Sequence, residues 1–550
     1  MVRSLPIVGA EGDPVDKPKN EADRILSYAP GTPERQRLQR ELEAVRSRVE
    51  EIPLVIDGRQ IRTQEIYEVR CPHDHQRVLA RAHLASEIEL RAAIDAALTA
   101  HRKWSAMDSY HRAAVFLRAA DLLAGPHRLE HIAAIMVNQS KTPVEAEIDL
   151  AEMVDFWRFN AYYLRWLEEQ QPEDGPAGEF NRFDWRPLEG FVLAVPPFNF
   201  YSIAGNLPSA PAIAGNVALW KPARSTLLAN YRIMQVLIEA GLPPGVVNFV
   251  PFHERHTDLV IGHPAFAGLH FTGSAAALTH FWQRIAQHLP SYRGYPRVVG
   301  ETGGKDFIVV HPSADPEAVV ANTIRGAFEY QGQKCSAASR LYAPESLWPS
   351  LRHRLQDELA NVKIGPVEDL TVSMGAVITK EAYDKIDAYL SHARDHGETY
   401  TFVSGGNSDA RQGWFISPTV IETKDPKGRL MTEEIFGPVL TVYVYPDARY
   451  EETLGLCDES TPYGLTGSIF AHDRRAITQA EETLRFTAGN FYINDKPTGA
   501  VVGRQPFGGA RRSGTNDKAG FWLNLARWTS PRNIKETTTP ARTWQRPYMG

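Results

Sequence analysis

A cysteine and a glutamate 34 positions apart are the residues best suited to chemistry in this chain. Cys335 lies in Phe328-Glu-Tyr-Gln-Gly-Gln-Lys-Cys-Ser336, directly after the cation of Lys334, and Glu301 lies in Gly300-Glu-Thr-Gly-Gly-Lys305. A thiol attacks a carbonyl as its thiolate, so it needs a lowered pKa or a nearby base, and a carboxylate in an apolar pocket is such a base. The pair predicts covalent catalysis through a thiohemiacetal and a thioester. The alternative is that Cys335 is a small buried apolar residue.

The composition is that of an ordinary soluble enzyme with more than one domain. The chain has 550 residues, too many for one hydrophobic core, and 43% of them are hydrophobic and 23% charged. The formal net charge of −6 offers no bulk attraction to nucleic acid. The three cysteines, Cys71, Cys335 and Cys457, are too few for a disulfide framework, which suits a reducing compartment.

Neither a signal peptide nor a membrane span is expected. The sequence after Met1 is acidic and proline-rich and has no apolar run of signal-peptide length. No apolar run reaches the roughly 18 residues of a membrane span. A cytoplasmic location is therefore predicted, or the mitochondrial matrix if the source is eukaryotic. Nucleic acid and membranes are not expected as partners, and no metal site is predicted.

Alternating strands and helices predict two doubly wound α/β domains that position these residues. One series ends at Val310, and the second runs from Ala314 to about Asn494 with Cys335 near its start. Such alternation is typical of largely parallel sheets covered by helices. Predicted strands lie at 191–195, 218–220, 246–250, 269–271 and 307–310, then at 340–343, 418–422, 438–445 and 467–471; predicted helices lie at 33–50, 90–98 after the capping box Ser86–Glu89, 111–123, 129–138, 227–240, 275–288, 315–330 and 380–395.

Several short motifs share their order and spacing with one enzyme family. They are Pro197-Phe-Asn-Phe200, Lys221-Pro222, Phe271-Thr-Gly-Ser274, Gly300–Lys305 with Gly332-Gln-Lys-Cys335, and Glu433-Glu-Ile-Phe-Gly-Pro438. From about residue 50 onward, the chain resembles the aldehyde dehydrogenase superfamily. Near the C-terminus, Asn490–Gly503, Gln505–Ala510 and Ser513–Lys518 are similar to one branch, the L-glutamate γ-semialdehyde (1-pyrroline-5-carboxylate) dehydrogenases.

The resemblance implies NAD-dependent oxidation of L-glutamate γ-semialdehyde to L-glutamate, the second step of proline breakdown. Cys335 would attack the aldehyde, and the side-chain amide of Asn199 and the backbone N–H of Cys335 would stabilise the oxyanion. Glu301 would activate the water that hydrolyses the thioester. No region for an attached proline dehydrogenase is visible, so a monofunctional enzyme is expected. Implied partners are the semialdehyde, further copies in a homodimer or higher homo-oligomer, and, transiently, a separate proline dehydrogenase.

Cofactor residues are implied at the end of one strand and the start of the next helix. Gly273 lets the backbone approach a phosphate, and Ser274 opens a helix whose free N–H groups attract it; the alternative is an ordinary serine cap. The sequence there is not the common Gly-x-Gly-x-x-Gly fingerprint. Lys221 is expected at the adenosine ribose, and Glu434 with Phe436 at the nicotinamide ribose. The remaining implied contacts are Pro196, Arg224, Ala275, Ala276 and Ala277.

Arg224 departs from the pattern of many NAD-preferring relatives. These relatives carry an acid three positions after the lysine equivalent to Lys221, where this chain has Arg224. An arginine can hold a 2′-phosphate through a charge-assisted contact, and the alternative is an arginine that faces solvent. NAD is expected as the working cofactor, with NADP used appreciably.

Substrate contacts are implied on both sides of Cys335. The backbone N–H groups of Gly499 and Ala500 would anchor the α-carboxylate, and Ser336 would add a hydroxyl donor. The other implied contacts are Phe200 and Phe507, which would sandwich the aliphatic chain, and Glu152 and Lys334, which would form an ion pair beside the nucleophile. Without the resemblance, Glu152 would be interpreted as an acid on the surface of a helix.

The resemblance also implies a division of the chain. The expected parts are an N-terminal arm at 1–50, an NAD-binding domain at 51–169 and 187–310, a catalytic domain at 311–495, oligomerisation segments at 170–186 and 530–550, and an anchor loop at 496–529 that returns to the NAD-binding domain.

Four other functions stay open at this point. An aldehyde dehydrogenase for another semialdehyde is the nearest. A CoA-acylating enzyme is disfavoured because Glu301 supplies a hydrolytic base, and a non-catalytic protein is disfavoured because Cys335, Glu301 and Asn199 are all intact. A cysteine hydrolase would need a paired histidine, and none lies in a matching motif.

Overall fold

The computed structural model describes residues 7–8, 14–173 and 175–550. Parts of two predicted segments lie outside the described residues, namely 1–6 and 9–13 of the arm and residue 174. The helices are α1 Pro33–Arg46, α2 Glu87–Trp104, α3 Ser109–Ala124, α4 Arg128–Gln139, α5 Pro143–Glu168, α6 Tyr201–Ile213, α7 Leu227–Glu239, α8 Thr257–Ile261, α9 Ala275–His288, α10 Pro316–Phe328, α11 Trp348–Ala360, α12 Lys380–Asp395, α13 Arg429–Thr432, α14 Tyr450–Glu459, α15 Arg474–Thr483 and α16 Trp522–Arg527.

Strands alternate with these helices along most of the chain. They are β1 Ile7–Val8, β2 Pro14–Val15, β3 Glu50–Ile52, β4 Leu54–Ile56, β5 Arg59–Ile61, β6 Ile66–Cys71, β7 Asp74–His83, β8 Glu179–Pro187, β9 Phe191–Val195, β10 Val217–Trp220, β11 Val247–Phe249, β12 Phe266–Gly273, β13 Arg297–Thr302, β14 Asp306–Val310, β15 Ala338–Pro344, β16 Tyr400–Ser404, β17 Ser408–Asp409, β18 Phe415–Ile416, β19 Thr419–Thr423, β20 Val439–Tyr445, β21 Tyr463–Gly464, β22 Thr466–Phe470, β23 Asn490–Ile493, β24 Ala510–Arg511 and β25 Thr529–Thr537.

Two seven-stranded sheets form the body of the molecule and confirm the predicted fold class. The first has the order β13-β12-β9-β10-β11-β4-β5, and its strands from β13 to β11 are parallel. The second has the order β16-β19-β20-β15-β14-β22-β23, and only β16 is antiparallel to its neighbour. All five side chains of β9 are buried, as expected for a parallel strand with both faces covered. Smaller sheets pair β3-β7-β6 and β8-β25.

Local sequence signals predicted several helices and strands correctly. The capping box forms at α2, where Glu89 Oε2 accepts from the backbone N–H of Ser86 at 2.9 Å. Strand β9 and helix α9 have the predicted bounds. Within the described residues, no helix is both long and apolar enough to cross a bilayer.

One predicted strand lies in a different sheet from the one expected. The strand at 307–310 was expected to end the first series, but β14 lies in the second sheet between β15 and β22. The first sheet ends with β13, which carries Glu301 and which the sequence did not indicate. The chain crosses between the sheets at Gly303–Lys305. Alternation alone does not tell which sheet receives a strand, so the predicted boundary at residue 310 is too late.

The two predicted oligomerisation segments contact each other within the chain. Strands β8 and β25 pair antiparallel in a ribbon from Pro187 opposite Thr529 to Glu179 opposite Thr537. The described part of the arm lies on the body, because Glu21 forms an ion pair with buried Arg128, which also pairs with Glu147. The interface role of the ribbon stays a prediction.

Candidate active site

A cavity of about 140 Å³ lies where the carboxyl end of β13 meets the segment before β15. Parallel sheets place their ligand sites at such strand ends. The cavity gathers most of the predicted catalytic and substrate residues, although Asn199 does not line it. The predicted residues on its wall are Glu152, Phe200, Glu301, Lys334, Cys335, Ser336, Gly499, Ala500 and Phe507.

The backbone before Cys335 is held in an unusual conformation. Tyr330 and Gln331 have φ of 52° and 55°, and Gly332 follows at 65°. Left-handed conformations cost energy for residues other than glycine, and they persist where the surroundings impose them. Here Glu145 Oε1 accepts from the Tyr330 N–H at 2.6 Å, and Gln331 Nε2 donates to two backbone carbonyls at 3.0 Å each. These bonds fix the loop that presents Cys335.

The surroundings of Cys335 keep it a neutral thiol. Burial raises the pKa of the Cys335 thiol well above its usual range, and the carboxylates of Asp306, Glu434 and Glu301 raise it further. Lys334 was expected to lower this pKa, and that expectation is wrong. The Lys334 ammonium forms an ion pair with Glu329 at 2.8 Å, so its charge is already balanced. The thiol therefore depends on a base.

Glu301 has the environment of a base that is stronger than an ordinary carboxylate. Burial raises the pKa of Glu301 well above its usual range, and the nearby acid Asp517 adds to this, while the N–H of Gly509 opposes it with a hydrogen bond of 3.0 Å to Oε2. Added Cβ atoms at Gly508 and Gly514 would lie 3.2 and 2.9 Å from the Glu301 carboxylate oxygens. These glycines let the C-terminal loop close over the acid.

Asn199 is held by one hydrogen bond of its own and lies just before a helix whose start is fixed. Its side-chain Nδ2 donates to the carbonyl of Gln333 at 3.0 Å, which ties it to the loop before the nucleophile. Helix α6, which begins two residues later, has no cap of its own. Instead Asp149 accepts from the N–H groups of Tyr201 and Ser202 at 2.8 and 3.0 Å. Asp149, which the sequence did not indicate, therefore positions the start of α6.

The predicted ion pair between Glu152 and Lys334 does not form. Lys334 pairs with Glu329, and Glu152 Oε2 accepts from the Ser202 hydroxyl at 2.7 Å. Burial raises the pKa of Glu152 to about 7. A long lysine chain takes whichever acid the fold brings nearest, and Glu329, five positions before it, is closer than an acid on another helix.

Backbone donors and a pair of hydroxyl groups also line the cavity. Gly499 has φ of 89°. Within the described residues, the backbone N–H groups of Gly499 and Ala500 take part in none of the backbone hydrogen bonds of turns and loops. The hydroxyl of Ser336 lies 2.7 Å from that of Thr498. Thr498 also lines the cavity and was missed, although it directly precedes the predicted anchor residues.

The first sheet offers an edge that fits a phosphate-bearing cofactor. The parallel strands β12, β9 and β10 lie side by side and end at Gly273, Val195 and Trp220, so that Pro196 and Lys221 directly follow β9 and β10. The hydroxyl of Ser274 caps α9 by accepting from the Ala277 N–H at 3.1 Å, so the predicted alternative of a serine cap is present. The first N–H groups of the helix lack intrahelical partners, and Ala275 and Ala276 present only methyl groups beside them.

Glu434 and Phe436 lie near the crossing between the sheets. Glu434 Oε1 accepts from the Gly304 N–H at 3.1 Å, and a Cβ at Gly303 would lie only 1.8 Å from the same oxygen. Burial raises the pKa of Glu434. Phe436 has φ of 60° and packs its ring against Phe198. The Arg224 side chain is one-third exposed, and its guanidinium lies 3.7 Å from Glu254. Within the described residues there is no cluster of three or more potential metal ligands.

Comparisons with known proteins agree with this geometry. A family model described as "Aldehyde dehydrogenase family" matches residues 60–534. A mitochondrial Δ1-pyrroline-5-carboxylate dehydrogenase of Bos taurus is 49% identical over 528 residues, which are 96% of this chain and 93% of that protein. The solved structure of the Mycobacterium tuberculosis Δ-pyrroline-5-carboxylate dehydrogenase bound with NAD has a TM-score of 0.93 at 48% identity and covers 98% of this chain and 99% of its own. Proline utilization A of Bdellovibrio bacteriovorus has a TM-score of 0.89 at 28% identity, over 96% of this chain and 55% of that one.

Proposed function

The chain belongs to the aldehyde dehydrogenase family, and we propose that it oxidises L-glutamate γ-semialdehyde, in equilibrium with 1-pyrroline-5-carboxylate, to L-glutamate with NAD. The observation that carries the proposal is the single cavity that holds Cys335, Glu301 and the loop Gly499–Ala500. An aldehyde that also bears a carboxylate requires a nucleophile, a base and a set of fixed donors. Relatives of 48% and 49% identity are named for this substrate.

Cys335 begins the reaction. Its Sγ thiolate forms a bond to the aldehyde carbon, and the carbonyl π electrons move to the oxygen. The oxyanion is stabilised by the backbone N–H of Cys335 and by Asn199, whose amide has a second hydrogen besides the one donated to Gln333. When bound, NAD accepts the hydride that the aldehyde carbon loses, which leaves a thioester on Cys335.

Glu301 completes the reaction. It takes a proton from a water molecule as the water oxygen attacks the thioester carbon. The C–S bond then breaks, Cys335 leaves as the thiolate, and the product carries a new carboxylate. Because burial raises the pKa of Glu301, its carboxylate is a better proton acceptor than an ordinary glutamate.

The cavity wall offers contacts to the α-carboxylate and to the aliphatic chain of the substrate. The N–H groups of Gly499 and Ala500 bind the α-carboxylate, and Ser336, held by Thr498, adds a hydroxyl. Phe200 and Phe507 enclose the aliphatic chain. These contacts favour glutamate semialdehyde over aldehydes that lack the carboxylate.

Copies of the chain are expected to associate through the β8–β25 ribbon into a homodimer or higher homo-oligomer. Within the described residues this ribbon has only two strands, so each has an edge without a neighbouring strand, and such edges readily pair with another chain. A transient contact with a separate proline dehydrogenase is supported by the similarity to part of a longer protein named for proline utilization. In a eukaryotic source we expect the mitochondrial matrix, and the bovine relative is named as mitochondrial.

NADH formation with 1-pyrroline-5-carboxylate, compared with a semialdehyde that lacks the α-carboxylate, tests the function. We expect a higher kcat/KM for the first substrate, and no activity for Cys335→Ala with either. A higher kcat/KM for the second substrate would assign the enzyme to another semialdehyde. Absence of NADH formation with any aldehyde would point to a non-catalytic protein.

A further inference from the structure

A carboxylate and two cations meet at the carboxyl ends of β10 and β11. Glu254 Oε1 lies 3.4 Å from Lys221 Nζ, and its Oε2 lies 3.7 Å from Arg224 Nη2. Lys221 and Arg224 follow β10, and Glu254 follows β11, which is the parallel neighbour of β10. Although burial opposes its charge, the two cations hold the pKa of Glu254 below its usual value, so it is an anion at neutral pH.

The position of Glu254 continues the cofactor edge by one strand. Strands β12, β9, β10 and β11 are consecutive in the sheet, and Gly273, Pro196 and Lys221 lie at the carboxyl ends of the first three. A dinucleotide lies across the carboxyl ends of such strands, with its adenosine toward one side. Lys221 is placed at the adenosine ribose in the proposed function, so the carboxylate beside it lies at the same sugar.

We propose that Glu254 determines the preference of this enzyme for NAD over NADP. The inference rests on the proposed use of a nicotinamide dinucleotide. Glu254 supplies the acid that the sequence lacks three positions after Lys221, because its carboxylate can accept hydrogen bonds from the ribose hydroxyls. It also opposes the negative charge of a 2′-phosphate at that sugar.

Arg224 is held away from a 2′-phosphate by three contacts. Its guanidinium pairs with Glu254, its Nη1 lies 3.2 Å from His253 Nδ1, and its centre lies 5.5 Å from the centroid of the Tyr67 ring. NADP would have to displace the carboxylate before it could use this arginine. Without the charge of Glu254, Lys221 and Arg224 become two unpaired cations, which is an arrangement that binds phosphate.

The charge of Glu254 can be removed without harm to the fold. The side chain is 69% exposed, and an exposed ion pair contributes little to stability. Glu65 provides a matched control because it is also an acid of this surface, bonded to His253 Nε2 at 2.9 Å and to Arg255 Nη2 at 3.1 Å, but it has no ion pair with Arg224.

Cofactor binding is measured by calorimetry in the Cys335→Ala background, with no aldehyde present. We expect Glu254→Gln to tighten NADP binding by roughly tenfold and to weaken NAD binding a few-fold, since each charged contact changes affinity by about this much. Glu65→Gln should leave the NADP/NAD ratio unchanged, and Arg224→Gln added to Glu254→Gln should remove the gain in NADP affinity. The same shift is expected in kcat/KM of the enzyme with Cys335 intact.

An unchanged ratio in Glu254→Gln, with normal NAD binding, would overturn this inference and leave the proposed function standing. An equal shift in Glu65→Gln would also overturn it, because the effect would then be general electrostatics. Failure of the unmodified chain to bind either dinucleotide would overturn the proposed cofactor and this inference together.

Discussion

Replacement of Asp149 by asparagine should test how the fold positions Asn199 and Phe200. Asp149 is 1% exposed and accepts from two backbone N–H groups at the start of α6, at 2.8 and 3.0 Å. It also forms an ion pair with Lys141, which is 2% exposed. Lys141 in turn lies 4.8 Å from the centroid of the Phe200 ring. One carboxylate therefore caps the helix and balances a buried cation.

The expected loss follows from these contacts. Asparagine has one side-chain oxygen where aspartate has two, so in Asp149→Asn it can accept from only one of the two backbone N–H groups. One charge-assisted hydrogen bond of about 1.5–3 kcal/mol is then lost. Breaking a buried ion pair leaves an uncompensated charge at a cost of about 3–5 kcal/mol. The two losses share one group and are not additive, so we expect a decrease of about 3–5 kcal/mol in the free energy of unfolding. Burial already lowers the pKa of Lys141, so the loss should shrink as pH rises and Lys141 gives up its proton.

Urea unfolding and steady-state kinetics measure the effect. The second variant, Lys141→Met with Asp149→Asn, removes the unpaired charge and should recover part of the lost stability. Asn199 lies just before the start of α6, so a shift of that start displaces its side-chain amide. In the folded protein, without urea, kcat should therefore fall in Asp149→Asn more than KM rises. A loss below about 1 kcal/mol, or a double variant less stable than Asp149→Asn, would refute the reasoning.

Three further predictions concern the cavity. Glu301→Gln should slow thioester hydrolysis by about 10²–10⁴-fold and should slow hydride transfer as well, because Glu301 accepts both the proton of the hydrolytic water and that of the Cys335 thiol; full steady-state activity would contradict the role of Glu301. Because burial raises the pKa of both Cys335 and Glu301 and both act deprotonated, kcat should rise with pH through the neutral range, and a flat profile would count against this account. Gly499→Val should impair 1-pyrroline-5-carboxylate more than a simple aliphatic aldehyde, since φ of 89° disfavours a branched side chain at the carboxylate anchor; equal losses would assign Gly499 to folding alone.

Local patterns allowed correct prediction where the signal lies within a few residues. The all-apolar run Phe191–Val195 is a buried strand, and the capping box at Ser86 begins a helix. The catalytic roles of Cys335 and Glu301, proposed from a thiol and a carboxylate in glycine-containing segments, stay a prediction. The structure places both on one cavity wall.

What could not be predicted depends on contacts between distant segments. Lys334 was paired with the wrong acid because the sequence shows which charges exist but not which lie nearest in space. Strand β14 was assigned to the wrong sheet because either sheet can bury an apolar strand. Asp149 caps a helix that starts 52 positions later, and no local cap signal marks such a contact. Glu254 was missed for the same reason, as it meets Lys221 only across neighbouring strands.

The electrostatics of the cavity give a reason why Cys335 and Glu301 would act as a pair in the proposed reaction. Burial disfavours the anion of both Cys335 and Glu301, and the charge of Glu301 itself raises the pKa of the thiol. Two anions in this cavity are therefore much less favourable than one. A proton that moves from the thiol to the carboxylate keeps the net charge of the cavity unchanged, so it avoids most of the cost of a second buried anion. When the thioester forms, Cys335 loses its charge, so Glu301 releases the proton of the thiol to solvent and, as a carboxylate again, can accept the proton of the hydrolytic water.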